Sequence, residues 1–129
     1  MPYVDIDGIR TRYETVGDGP PILMFSPGGF DSSLDNWTHF GRYRDLGFVD
    51  AFKDRYTCVV FDRRESGQSS GRVERLDWPV YVTQALGLLD HLGIERAHTM
   101  GGCVGCSTAA ALAVAAPDRV RSMVLFSPA

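Results

Sequence analysis

The chain has 129 residues, 44% hydrophobic and 22% charged, with 13 basic and 16 acidic side chains for a net charge of −3. That composition excludes disordered and fibrous classes and sets one globular domain over residues 1–129 as the expectation, short for a complete α/β enzyme. The mild acidity excludes nucleic acid as a partner, because Arg42, Arg44, Arg63, Arg64, Arg72 and Arg75 are interleaved with acids and read as a solvated loop surface.

The elements follow in chain order. Tyr3–Asp5 and Arg10–Thr15 flank Asp7-Gly8, an Asp-Gly turn signal, and predict an antiparallel hairpin. Gly17-Asp18-Gly19-Pro20 is a turn, and Pro21–Phe25 a continuous apolar run suited to a buried strand. A glycine-bearing loop, Pro27-Gly28-Gly29-Phe30, comes next. Residues 35–53 read as irregular, with one or two helical turns ending near Phe48–Phe52. Tyr56–Phe61 is apolar through its centre, as in a strand covered on both faces, and places Cys58 in the core. Asp77 is the expected N-cap of a helix carrying Val82, Ala85, Leu86, Leu89 and Leu92 on one side, with Gly93 at its C-terminal end. Ala97–Met100 is the next strand and Gly105–Ala116 the next helix, stopped by Pro117; Ser122–Phe126 is the last strand. Strand–helix alternation of this kind predicts an α/β fold with a mostly parallel sheet.

No apolar run approaches the roughly 18 residues of a membrane span. The first residues, Met-Pro-Tyr-Val-Asp-Ile-Asp, lack the basic start and apolar stretch of a secretory leader. An odd count of three cysteines does not suggest a disulfide framework, so a cytoplasmic protein is expected. No cofactor or metal is expected, since Cys103 and Cys106 lack further ligands at suitable spacing.

Gly101-Gly102-Cys103-Val104-Gly105, between a strand and a small-residue helix, is a G-x-C-x-G pattern. A strand turning sharply into a helix strains its corner residue and pushes that side chain into the open. Positions two residues to either side face neighbouring backbone and favour glycine, here Gly101 and Gly105. Cys103 is thereby the candidate nucleophile, with the Val104 N–H as one oxyanion donor. Gly29, with Phe30 close behind, is the expected second donor, from a loop whose missing side chains let backbone N–H groups approach a ligand.

These motifs resemble the N-terminal half of an α/β-hydrolase. The resemblance runs over nearly the whole chain: hairpin, Pro27-Gly28-Gly29 after the third strand, then Asp62-Arg63-Arg64-Glu65-Ser66-Gly67-Gln68-Ser69 after the fourth, then the elbow. That fourth-strand segment is similar to the family's D-x-R-G-x-G-x-S, with Glu65 in place of the first glycine. Gly101–Thr108 with Ala116–Val120 resembles the proline-iminopeptidase-like branch, and a cysteine nucleophile resembles the dienelactone-hydrolase branch. Pro27 stands roughly where many members have histidine. The resemblance implies hydrolysis of an ester, thioester, lactone or N-terminal peptide bond in a small-molecule acyl substrate. It also implies an acid and a histidine beyond the sixth strand, so a partial domain truncated after that strand is the expectation. The apolar edge of residues 122–126 is then a site for self-association or complementation.

The local histidines do not supply a base. His98, five residues before Cys103, is about 16 Å away along an extended strand and reads as a packed strand residue. His91 falls behind the sheet, and His39, near Trp37, is the candidate closest to the pocket mouth. Two rival classes stay open. Cys103-Val104-Gly105-Cys106 is also C-x-x-C at a helix start, a thiol–disulfide redox pattern with Cys106 as partner. A non-catalytic, hydrolase-like interaction module fits the incomplete triad. Asp62, Arg63 and Arg64 read as a charged loop held by ion pairs, and Trp37 and Phe30 as either an acyl pocket or a cover for the loop.

Overall fold

Short apolar strands dominate the middle of this sheet because helices and loops cover both of its faces. The protein is described from a computed structural model over residues 2–6, 8–27, 33–39, 41–63 and 78–126, with backbone alone at residues 39, 41, 42 and 78. Outside these residues fall Gly28, Gly29 and Phe30, the Asp77 cap, and Arg64, Arg72 and Arg75.

Strands β1 (Tyr3–Ile6) and β2 (Ile9–Gly17) form the predicted hairpin, Ile6 opposite Ile9. β3 (Pro21–Phe25), β4 (Thr57–Phe61), β5 (Ala97–Gly102) and β6 (Val120–Phe126) complete a six-stranded sheet in the order β1-β2-β4-β3-β5-β6. β2 pairs antiparallel with β4, and every pairing from β4 to β6 is parallel. β6 begins two residues before the predicted strand, directly after a 3-10 turn at Pro117–Arg119.

Alternation of side chains divides the core into two layers. Leu23, Phe25, Val59 and Phe61 face α4 (Trp78–His91) and α5 (Gly105–Ala115), whose Val82, Ala85, Leu88, Leu89, Ala109 and Leu112 are buried against them. The helical spacing named Leu89 but not Leu88, which is fully buried; truncating either to alanine is worth about 2–5 kcal/mol. α4 ends as foreseen. Gly93 has φ 69, its N–H donates to Asp90 O, and Ile94 N–H donates to Leu89 O at 2.9 Å, the paired bonds of a Schellman cap.

On the opposite face Ile22, Met24, Cys58, Val60 and Met100 lie under Leu34, Trp37, Tyr43 and Val49. The segment expected to be largely irregular forms three short helices there: α1 (Asn36–His39), α2 (Gly41–Leu46) and α3 (Phe48–Phe52). Their aromatic rings interlock edge to face, with Trp37–Tyr43 centroids at 5.6 Å and Phe48–Phe126 at 5.1 Å. That cluster is tertiary, so no single helical period announced it. β6 differs from its neighbours: Met123, Val124 and Leu125 are 40%, 53% and 41% exposed. Among the described residues no helix is long and apolar enough to cross a membrane.

Candidate functional site

β5 runs two residues past its predicted end, through Gly102, and the chain then turns within Cys103 and Val104 into α5. Cys103 has φ 53, the single positive φ of any non-glycine among the described residues. Such a conformation is costly for a residue with a Cβ and persists where the surroundings over-determine it. The surroundings do so here. A Cβ on Gly101 would lie 2.6 Å from Cys106 N, and one on Gly105 would press on the Phe25 carbonyl and lie 3.1 Å from Ser26 O. A Cβ on Gly102 would meet the Tyr43 ring at 2.9 Å and the Trp37 ring at 3.1 Å. Helix α5 thus starts in direct contact with the end of β3, and any larger residue would force the two apart.

The Cys103 N–H donates to Phe126 O at 3.0 Å, tying the corner to the end of β6. Cys103 O accepts from Cys106 N–H at 3.1 Å, closing the first turn, and the Cys103 side chain is left half-buried. Val104 sits at the helix N-cap with φ −63 and ψ −25, and among the described residues its N–H has no acceptor. Cys106 is buried, with Sγ 3.3 Å from Gly101 O and 3.4 Å from Phe126 O. Burial pushes its thiol above the ordinary range, a backbone hydrogen bond at Phe126 works against this, and the neighbouring Cys103 adds to the rise. Cys58, fully buried in β4, is raised by burial alone. All three cysteines are free.

The two histidines whose side chains are described are engaged elsewhere. His98 Nδ1 is 2.7 Å from Ser122 Oγ and its ring meets Tyr56 edge-on; His91 Nε2 is 3.3 Å from Tyr13 Oη. The His39 side chain lies outside the described residues. Trp37, weighed as a pocket wall, is wholly buried in the aromatic cluster. A groove of about 660 Å³ between α4 and α5, lined by Pro79, Val82, Ser107, Ala110, Ala111, Val114 and Ala115, does not include Cys103.

At the start of the charged segment after β4, Asp62 does make an ion pair, as its reading as a charged loop held by ion pairs suggested, but that pair is buried rather than solvated. Asp62 is completely buried, and its partner Arg12, which sequence reasoning missed, is 2% exposed. Arg12 Nε donates to Asp62 Oδ2 at 2.9 Å and its Nη2 to Asp62 Oδ1 at 3.1 Å. Burial acts to lower the Arg12 pKa, but the bonds and charges of Asp62 and Asp35 outweigh it, leaving the guanidinium above its ordinary value. Arg63 is half-buried, its guanidinium 4.8 Å from the centre of the Tyr81 ring. The missed signal was an arginine in the hairpin's second strand, at a position flanked by threonine and tyrosine that reads as strand surface.

A family profile described as the alpha/beta hydrolase fold matches residues 21–129. The acetoin-cleaving-system dihydrolipoyllysine-residue acetyltransferase component of Cupriavidus necator is 39% identical over 126 residues, 98% of this chain and 31% of that protein. The 2-hydroxy-6-oxo-6-phenylhexa-2,4-dienoate hydrolase of Comamonas testosteroni is 32% identical, over 96% of this chain and 42% of its own. A meta-cleavage product hydrolase structure from Pseudomonas fluorescens IP01 superposes with TM-score 0.85 and 27% identity, covering 100% of this chain and 45% of that one. The chain therefore spans between 31% and 45% of the length of these relatives.

Proposed function

The chain belongs to the α/β-hydrolase family, and from that premise we propose that it carries the nucleophile and oxyanion site of an acyl-transfer hydrolase acting on a small-molecule carbonyl compound. The observation that carries this reading is Cys103 itself: half-buried, at φ 53, on a strand–helix corner where Gly101 and Gly105 leave no room for a Cβ. A nucleophile elbow needs that geometry, and a core cysteine does not.

In the proposed reaction the Cys103 thiolate adds to the carbonyl carbon, and the π pair moves to oxygen. The Val104 N–H and an N–H of Gly29 or Phe30 hold that oxyanion. Collapse expels the leaving group and leaves a thioester on Cys103, which water then cleaves to acid and thiol. A histidine oriented by an acid must move the protons. His91 and His98 are engaged away from the elbow, which leaves His39 within the chain; we assign both roles to polypeptide outside residues 1–129, in line with the share of the relatives that the chain spans, with His39 as the alternative histidine. Esters, thioesters, lactones and N-terminal peptides are all within this chemistry. The oxo-dienoate named for the Comamonas relative adds a ketone to the candidates, for which collapse would break a C–C bond and the expelled carbon would take up a proton. The exposed β6 is the surface through which such polypeptide, or a second copy, would pair; sedimentation showing a monodisperse monomer across concentrations overturns the second-copy arm. Three free thiols suit the reducing cytoplasm.

Incubation with p-nitrophenyl acetate tests the reading. One acetyl group is expected on Cys103, found by peptide mass and absent from Cys103→Ala. Acetylation no faster than that of a small free thiol of similar reactivity would reduce the chain to a non-catalytic module. A second reading, thiol–disulfide exchange, has in its favour that Cys103 and Cys106 share one helical turn. Disulfide-reducing turnover that vanishes in Cys106→Ser would favour it, whereas hydrolysis survives that substitution.

A further inference from the structure

We propose that the buried Arg12–Asp62 pair, together with Asn36, is a positioning device that holds both flanks of the oxyanion loop against the elbow. The inference rests on the acyl-transfer reading, from which Gly29 and Phe30 take their role as donors.

Among the described residues, the downstream flank is pinned by four donors converging on one carboxylate. Besides Arg12, Asp62 Oδ1 accepts from Ser33 Oγ at 3.1 Å and from the Leu34 N–H at 2.7 Å. Arg12 Nη2 reaches on to Ser33 Oγ at 3.2 Å and Asp35 Oδ2 at 2.8 Å. A carboxylate has room for about four such bonds, and among the described residues those that Asp62 accepts beyond Arg12 come from residues 33 and 34. The backbone of Asp62 is itself held, its N–H on Arg12 O at 3.0 Å and its carbonyl on Gln84 Nε2 at 3.1 Å.

The upstream flank is held by Asn36, whose Nδ2 donates to Pro27 O at 2.6 Å and so joins the residue entering residues 28–32 to the first residue of α1. The end of β3, just before Pro27, touches the elbow at Gly105. A continuous set of contacts therefore links the Val104 corner, the end of β3, the loop flanks and the end of β4. Stability alone is a poor account of such an arrangement, because burying two charges costs about what their attraction returns. A bidentate guanidinium–carboxylate pair does fix orientation, and oxyanion donors act through orientation.

Two rates at the same sulfur test this. Acetylation of Cys103 by p-nitrophenyl acetate develops an oxyanion, whereas alkylation by iodoacetamide displaces iodide at a saturated carbon and develops none. The ratio of the two rates, followed at Cys103 by peptide mass, reports the oxyanion site and cancels changes in thiol reactivity. Asp62→Asn is expected to lower this ratio by about tenfold or more, and the milder Asn36→Ala by severalfold, each with alkylation close to wild type. Folded variants that keep the wild-type ratio, or lose both rates together, overturn the proposal. If Asp62→Asn does not fold, Asn36→Ala decides alone, on the same two criteria. A wild-type ratio no higher than that of glutathione removes the acyl-transfer reading and this inference with it, whereas a raised wild-type ratio that the variants retain removes this inference only.

Discussion

The elbow follows β5 and the Asp62 side of the Arg12–Asp62 clamp follows β4, with β3 between them, and the two are built in opposite ways. The elbow works by leaving side chains out: Gly101, Gly102 and Gly105 let backbone and rings close in, and one residue with a Cβ is held at φ 53. Its parts span five consecutive residues. The clamp works by bringing side chains in, from positions 50 residues apart in the chain, and its strength lies in pairing a buried charge. The first tolerates no added atom and the second no removed one, so each is broken by a different kind of substitution.

The largest effect separates chemistry from scaffold. Cys103→Ala is expected to abolish acyl transfer completely while shifting the urea midpoint little, since alanine keeps the same Cβ at φ 53 and the thiol removed is only half-buried. Next, removing one half of the clamp by Asp62→Ala strands a buried guanidinium and should cost about 3–5 kcal/mol in urea unfolding. The double variant Arg12→Met/Asp62→Leu should recover most of that stability but not the acetylation rate. An addition to the elbow, Gly105→Ala, should cost about 2–4 kcal/mol, because its Cβ meets backbone of β3 that cannot rotate away. Both losses are read from the same denaturation curves, and equal tolerance at the two sites would collapse the distinction between them.

The smallest effect is at Cys106. Cys106→Ser keeps a donor for Gly101 O and should change stability by less than about 1 kcal/mol, with Cys103 labelling intact. Folding raises the Cys58 and Cys106 pKa above 9.0, so the folded state holds those protons more tightly than the unfolded chain. The stability they contribute is complete below pH 9.0 and is lost as pH rises through the folded values. Urea midpoints measured from pH 7 to pH 10 should fall at the alkaline end, and less steeply in Cys106→Ser. A midpoint flat across that range would contradict the burial of both thiols.

How much was legible follows the same division. The strand at Pro21–Phe25 reads directly because five apolar residues between a turn and a glycine loop leave one solution, and the structure has that strand over those residues. The glycine spacing around Cys103 reads because steric exclusion acts between near neighbours in the chain. Arg12 did not read at all: on a strand whose alternation is polar, an arginine looks like surface until Asp62 and Asp35 are brought to it. Asn36 was equally silent, a helix-start residue whose amide closes the loop to Pro27. Helices α1 to α3 were underestimated because their order comes from rings of β6 and from one another, not from a period within the segment.

By itself, then, the sequence determined the α/β class, the order of the elements and the corner that presents Cys103, since each depends on local exclusion, alternation or helical spacing. The tertiary structure alone decided which charges are buried, that Cys106 points at Gly101 and Phe126 carbonyls, and that the loop flanks and the elbow share one framework. The physical reason is that a side chain's partner across dozens of residues is chosen by the packing of the sheet, and no local pattern encodes that distance.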